Sequence, residues 1–160
     1  MQRRTCIAAI GALPLAGTWP LAALAHHGWS SFDLTRPLYL QGKARRVAWR
    51  NPHAELDLEL ASPLQLPADL GRLTPPAQTA SVDGARVLGG AQLPTRADRV
   101  WRVELAPLTR MEAWKVPTIA DGDTVAVVGF TFAGEKGDPI LRAEYLILGP
   151  RLFGLRSSPA

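Results

Sequence analysis

The nine residues HAELDLELA, from His53 to Ala61, constrain the fold most, because polar and apolar side chains alternate in them without interruption. The apolar side chains occupy every second position, at Ala54, Leu56, Leu58 and Leu60. Successive side chains of a β-strand point to opposite faces, so this pattern predicts a strand with one face buried and the other in water. A chain that contains such a strand needs partner strands, and the rest of the sequence supplies them.

Four other segments have the patterns of strands. Residues 38–50 alternate up to Ala44, slip by one position at Arg45 and Arg46, and resume at Val47 and Trp49, which predicts a long strand bent by a β-bulge. Residues 99–106 place Trp101, Val103 and Leu105 in one row. Further strands are predicted over 123–133 and 139–148. The row predicted for the last strand consists of Leu141, Ala143, Tyr145 and Ile147.

The order of these elements predicts the fold class. Residues 107–114 fit a short helix with Pro107 in its first turn, placed between the third and fourth strands. Five strands, a bent first strand and one helix at that position are the pattern of an OB-like Greek-key barrel, which is all-β with a small helical content. An open meander or a small sandwich remains an alternative, because strand pairing cannot be derived from a single sequence.

The chain also contains segments without a period. Residues 62–98 carry repeated Pro and Gly and no sustained alternation, which indicates a long, mobile insertion in the barrel. Residues 149–160 are expected to form a loose C-terminal tail, with Leu152 and Phe153 docked at most. The barrel domain itself is expected to span residues 26–148.

Residues 1–25 have the pattern of an export signal. Arg3 and Arg4 precede an apolar stretch that ends in Ala23-Leu24-Ala25, the small-residue motif favoured by signal peptidase. The pattern predicts a periplasmic or secreted protein, exported by the general secretory route or by the twin-arginine route. A membrane anchor is the alternative, but Pro14 and Pro20 interrupt the run. No stable membrane insertion is expected after cleavage.

Removal of this signal changes the charge and the thiol content. The formal net charge of +4 falls to +2 when Arg3 and Arg4 leave, and Cys6, the single cysteine, leaves as well. The mature chain therefore has no disulfide and no thiol nucleophile. It also lacks the concentrated basic stripe that nucleic-acid binding requires, so nucleic acid is not expected as a partner.

Two of the three histidines, His26 and His27, follow directly after the predicted cleavage site. Cleavage after Ala25 would give His26 a free α-amino group and an imidazole, which together can chelate one ion. His53, on the polar face of the second strand, is the best third donor, and His27 is the next. Nitrogen-rich sites of this kind suit Cu(II), so copper is the predicted metal. Glu55, Asp57, Trp49 and Asn51 are candidate supporting residues around it.

Cleavage after Ala23 would instead leave Leu24-Ala25-His26, which binds Cu(II) or Ni(II) in a square plane through the amine, two amides and the imidazole. Three functions follow from these observations. The first is a copper carrier or accessory factor of the cell envelope, acting with a partner protein. The second is a metal-free module that binds a ligand or a protein. The third is a copper-dependent redox enzyme, which is less favoured because the sequence shows no second catalytic constellation.

The motifs AHHGWSSFD, WRNPH and GDTVAVVG together resemble an uncharacterised family of small secreted bacterial proteins. Its members carry Ala-His-His after the signal, a Trp-x-Asn-Pro-His turn and a late Gly-Asp-x-Val-x-Val-x-Gly strand. The resemblance covers most of the mature chain except residues 62–98, where the family has a shorter connection. It implies export and singles out His26, His27 and His53, but it implies no known activity.

Overall fold

The protein is a closed five-stranded β-barrel with a sixth strand on its edge. The computed structural model describes residues 28–160. The strands are β1 (Leu38–Ala48), β2 (Glu55–Leu60), β3 (Val100–Glu104), β4 (Thr124–Phe130), β5 (Ile140–Leu148) and β6 (Arg151–Gly154). The helices are α1 (Gly84–Gly89) and α2 (Leu108–Ala113), with short 3-10 turns at Trp29–Ser31, Leu70–Arg72 and Ala133–Glu135.

The strand order confirms the OB-like barrel. The sheet runs β3-β2-β1-β4-β5-β6, and β3 also pairs with β5 in parallel, which closes the first five strands in sequence into a barrel. The helix α2 lies between β3 and β4, as the sequence predicts. The pairing of β3 with β5 joins the two edges of the five-stranded sheet, and β6 extends the sheet beside β5.

The strand β1 is long enough to pair with two neighbours because it bends. Its first half pairs with β4 and its second half with β2, and both pairings include Gly42 and Lys43. A Cβ at Gly42 would lie 1.9 Å from the carbonyl oxygen of Glu59, so only glycine fits where the chains approach. The predicted bulge is present between Arg45 and Ala48, where Arg46 has a φ of 45°.

The barrel interior is filled by the rows of side chains that the alternation predicts. Leu56, Leu58 and Leu60 of β2 and Trp101 and Val103 of β3 are all buried there. Met111 of α2 is also buried in this cluster, which closes one end of the barrel. Together these side chains remove a continuous apolar surface from water, which is the main stabilising contribution for a small barrel.

A second hydrophobic cluster, the outer core, lies on the outside of the barrel wall. It is built on Tyr39 of β1, on β4 and on Tyr145 of β5, and it is covered by residues from the 62–98 segment. Its buried members are Phe32, Tyr39, Leu70, Val87, Leu88, Ala91, Ala126, Val128, Phe130 and Tyr145. The 62–98 segment therefore packs against the wall through Leu70, Val87, Leu88 and Ala91, although the sequence shows no regular period there.

The predicted row of β5 is wrong beyond Ala143. Leu141 and Ala143 face the barrel interior, whereas Tyr145 faces the outer core. The cause is a register shift, because Gly129 of β4 pairs with Ala143 while the neighbouring Val128 pairs with Tyr145. Glu144 is the extra residue of this bulge, and it exchanges the faces of all later side chains.

The C-terminal segment is also more ordered than the sequence predicts. Arg151–Gly154 forms β6 against β5, and Leu155 is buried in the barrel core. Beyond it, an isolated bridge joins Pro159 to Gln78 of the 62–98 segment. The last residues therefore tie the insertion to the barrel. Within residues 28–160, no helix is long and apolar enough to cross a membrane.

Candidate functional site

His53 lies at the end of the β1–β2 connection, beside a small cavity at one end of the barrel. The turn before it contains Asn51 and Pro52, which are exposed, while His53 is half-buried. The cavity has a volume of about 140 Å³. It is lined by Arg50, Asn51, Pro52, His53, Glu55 and Glu104. This volume suits an ion with a few waters better than an organic ligand.

Two carboxylates accompany His53 in this cavity. Glu55 of β2 and Glu104 of β3 occupy directly opposed positions of the antiparallel pair, which is an unfavourable place for like charges. Glu104 is compensated, because Nε and Nη2 of Arg142 lie 2.9 and 2.5 Å from its Oε2. Glu55 forms no ion pair within residues 28–160. The carboxylate of Glu55 therefore has no ion-pair partner in this part of the chain, although the guanidinium of Arg50 lines the same cavity and offsets part of its charge.

Arg142 connects this cavity to the beginning of the described chain. Its guanidinium carbon lies 5.0 Å from the ring centre of Phe32 and 5.5 Å from that of Trp29. A second arginine also contacts Trp29, since the guanidinium carbon of Arg156 lies 3.5 Å from the centre of its ring. Cation–π contacts of this kind hold an aromatic ring in place. Residue 29 is therefore anchored beside the arginine that pairs with Glu104.

The structure brings some of the predicted site residues together. His53, Glu55 and Asn51 line the same cavity. Trp49 lies elsewhere, packed partly against the barrel core beside Leu108 and Met111. His26 and His27 lie outside the described residues.

Asp57 is committed to a different group of charges. Its carboxylate forms an ion pair with Arg46 on the β1 bulge and lies 3.9 Å from the guanidinium of Arg102 on β3. The backbone amides of Arg46 and Val47 donate to the carboxylate of Asp121, which holds the bulge in place. Asp57 therefore lines a separate cavity on the barrel wall rather than the one beside His53.

The part of the chain that the structure describes contains no ready-made metal site. Among residues 28–160, no group of three or more His, Cys, Asp or Glu side chains is placed to hold an ion. His53 and its two carboxylate neighbours line one cavity without forming such a group.

Three residues of this site were not predicted from the sequence, namely Arg50, Glu104 and Arg142. Glu104 stands on the polar face of β3, where it reads as an ordinary solvated acid. Only the pairing of Glu55 with Glu104 shows that it faces the same cavity as His53. The alternation of β3 does place Glu104 on the outward face of the strand. That position points to the cavity only once the register of β2 and β3 is known.

Comparison with known proteins supports the resemblance to an uncharacterised family. Residues 16–64 match the model of a family of unknown function, DUF6152. The matched segment contains all three histidines, the whole of β1 and the whole of β2. No curated protein and no solved structure matches the chain. The comparisons therefore show a similarity to a family of unknown function, and the function has to be argued from the site.

Proposed function

We propose that this protein is an exported copper-binding protein that serves as a carrier or accessory factor of the cell envelope. The proposed ligands are the α-amino group and imidazole of His26, with His53 as the third nitrogen and His27 as its nearest substitute. Export is proposed from the signal-like pattern of residues 1–25, which ends at Ala25. A partner protein that delivers or receives copper belongs to this proposal.

The link from Trp29 through Arg142 to the cavity beside His53 is the observation that carries the proposal. Only Gly28 separates His27 from Trp29. Trp29 stacks near Arg142, and Arg142 pairs with Glu104, which lines the cavity of His53. Two or three residues of extended chain span about 7 to 10 Å. We therefore expect the new N-terminus to reach His53.

The chemistry of the donors favours Cu(II) at such a site. An α-amino group has a pKa of about 7.7 to 8.0, so a metal ion displaces its proton at neutral pH at little cost. Two imidazoles and one amine give a nitrogen-rich set, and Cu(II) heads the affinity order of the divalent first-row ions. The carboxylate of Glu55 adds negative charge beside these donors without needing to bind the ion directly.

The first test is the intact mass of the exported protein, measured with and without added copper. The proposal expects a chain that begins at His26 and gains the mass of one copper ion. The same chain preceded by an extra Met should lose most of this affinity, because its α-amino group no longer belongs to His26. Equal binding by both chains would contradict the proposed ligand set.

A pair of matched variants tests the cavity. Glu55→Gln removes the carboxylate beside His53 that forms no ion pair within residues 28–160, and we expect it to weaken Cu(II) binding about threefold, which is typical for an exposed charge. Glu59→Gln is the control, because Glu59 lies on the same face of β2 but pairs with Arg45 at 3.0 Å. An equal effect of both variants would show that the cavity has no special role.

Turnover separates a carrier from an enzyme. The copper-loaded protein is incubated with a reductant and with oxygen or peroxide, and consumption of the oxidant is followed. A carrier should show no more turnover than its His53→Asn variant with the same amount of added copper. Turnover that depends on His53 would favour the redox enzyme instead.

A further inference from the structure

The segment 62–98 does more than cover the barrel wall, because it forms one side of a groove. The groove has a volume of about 420 Å³ and lies between the turn Leu70–Arg72, the outer faces of β1 and β4, and the β5–β6 hairpin. Small-molecule pockets in proteins have volumes of about 300 to 1,000 Å³. The groove is thus three times as large as the cavity beside His53 and can hold an organic ligand.

Apolar side chains line most of this groove. Ala126 of β4 forms part of its floor, between Gln41 of β1 and Ile147 of β5 in the sheet. The small methyl group of Ala126 leaves open the space that a larger side chain would fill. The other apolar side chains around it are Tyr39, Leu70, Leu73, Ile147 and Leu152. An aliphatic or aromatic body would replace water over this surface favourably.

Asp69 gives the groove a defined charge. It is the one charged residue in the lining, it is exposed, and its carboxylate does not cap the 3-10 turn that follows it. Within residues 28–160 this carboxylate has no cationic partner. Burial, and then the negative charge of Asp69, raise the pKa of the Tyr39 hydroxyl above its ordinary value. The negative charge of Asp69 therefore acts on the hydroxyl of Tyr39, which also lines the groove.

The cations beside the groove do not line it, namely Lys43 of β1, Arg72 in the turn Leu70–Arg72 and Arg151 of β6. The Nζ of Lys43 donates to Thr124 Oγ1 at 2.9 Å. Lys43 does not line the groove. A ligand in the groove would thus meet apolar walls, the amide of Gln41 and a single unpaired carboxylate.

From these contacts we infer that the groove between residues 67–73 and the barrel wall binds a small amphipathic cation, with an apolar body and one protonated amine. The apolar body would lie against the partly exposed Leu73, Ile147 and Leu152, and the ammonium group would face Asp69. This binding goes beyond copper and uses none of the residues proposed for the metal. It also gives the segment 62–98 a function.

Three probes with the same tail test the inference: n-octylammonium, n-octanol and octanoate. Binding to the processed protein is measured by NMR titration of the amides of Asp69, Leu73 and Ala126. We expect octylammonium to bind about fivefold more tightly than octanol, and octanoate to bind most weakly. Absence of shifts at these amides would overturn the inference. So would octanoate binding as tightly as octylammonium, since that would assign the groove to an anion near Lys43.

Variants then locate the two parts of the ligand. Asp69→Asn should remove the preference for octylammonium over octanol, and Asp138→Asn, at an exposed aspartate outside the groove, should leave it unchanged. Ala126→Leu should weaken all three probes by filling the floor. The thermal midpoint of each variant is measured as a check of folding. If Ala126→Leu unfolds, Thr124→Leu at the exposed rim replaces it. A preference that survives Asp69→Asn would overturn the inference.

Discussion

At the scale of single residues, Glu135 is a buried carboxylate that joins separate segments outside the barrel. It is buried in the β4–β5 connection and pairs with Arg36. Its oxygens also accept from the backbone amides of Thr95 and Arg96 at 3.0 and 3.2 Å. Three separate segments therefore meet at one side chain. Burial alone would raise the pKa of Glu135, but these hydrogen bonds lower it below its ordinary value of 4.5.

This lowered pKa predicts how stability depends on pH. The folded state binds the proton of Glu135 less tightly than the unfolded state, so the contribution of Glu135 is present above about pH 4.5 and disappears as the pH falls through the folded pKa. Glu135→Gln should lower the free energy of unfolding by about 2 kcal/mol at pH 7. The difference from the wild type should shrink on acidification. Denaturant unfolding at several pH values measures both effects.

The control for this prediction is Glu112→Gln, at an exposed position of α2. Its stability should follow that of the wild type at every pH. A Glu135→Gln variant whose deficit is the same at pH 3.5 and at pH 7 would show that the deficit does not arise from the charge of Glu135.

Gly42 is the residue on which the closure of the barrel depends. A methyl group there would collide with the carbonyl of Glu59 at 1.9 Å, and the obstacle is backbone, which cannot turn aside. Gly42→Ala should therefore cost at least about 2 kcal/mol. Gly89→Ala is the matched control, because nothing lies within 4 Å of a Cβ at that position. It should be neutral or stabilising, and equal losses of thermal stability in both variants would contradict the assignment.

At the scale of elements, the C-terminal segment acts as a clasp between β5 and the 62–98 segment. The amide of Thr79 donates to the carbonyl of Ser158 at 3.0 Å, and the amide of Ala80 donates to Ser157 Oγ at 2.7 Å. On the other side, the fully buried Glu144 pairs with Arg156 and accepts from Gln78 at 3.5 Å. The clasp therefore joins the insertion to the bulge of β5.

Deletion of residues 157–160 tests this clasp while it leaves Arg156 in place. The amides of Thr79 and Ala80 should exchange with deuterium much faster than in the full chain, because they lose their acceptors. Barrel amides such as that of Ala44, which donates to Asp123, should keep their protection. Unchanged exchange at Thr79 would contradict the clasp.

The elements also show how far the sequence predicts the fold. Alternation predicts β2 and β3 well because one face of each strand carries apolar side chains into the core and the other carries polar side chains. The same rule fails in β5, since its far half is buried on both faces and the bulge at Glu144 changes the register. It fails in residues 62–98 as well. Leu70 and Leu88 are buried because the segment packs against the barrel wall, and their spacing in the sequence follows no regular period. Long-range packing is needed to recognise either case.

At the scale of the whole molecule, the barrel separates two regions with different chemistry. The cavity of His53 lies at the β1–β2 turn and contains an imidazole and two carboxylates. The groove of Ala126 and Asp69 lies on the outer wall and is mainly apolar. They share no lining residue. We therefore expect copper and an amphipathic cation to bind independently. A large change in the affinity for one when the other is bound would contradict this expectation.

The sequence predicts the components of the candidate site better than its geometry. His53 and Glu55 follow from the alternation of one strand, but the role of Glu104 depends on the register of β3, and that of Arg142 depends on the parallel closure by β5. The stacking of Trp29 near Arg142 joins residues 113 positions apart. Pairings over such distances cannot be derived from local patterns, and they are what relates the beginning of the chain to His53.

The most direct test of the copper proposal is the electron paramagnetic resonance spectrum of the processed protein with one equivalent of Cu(II), recorded for the wild type and for His53→Asn. If the exposed N-terminus and the β1–β2 turn bind one ion together, the wild type should show nitrogen couplings from three donors, and the variant should lose one of them. Identical spectra for the two proteins would mean that the ion is held by the chain terminus alone, and the shared site would be refuted.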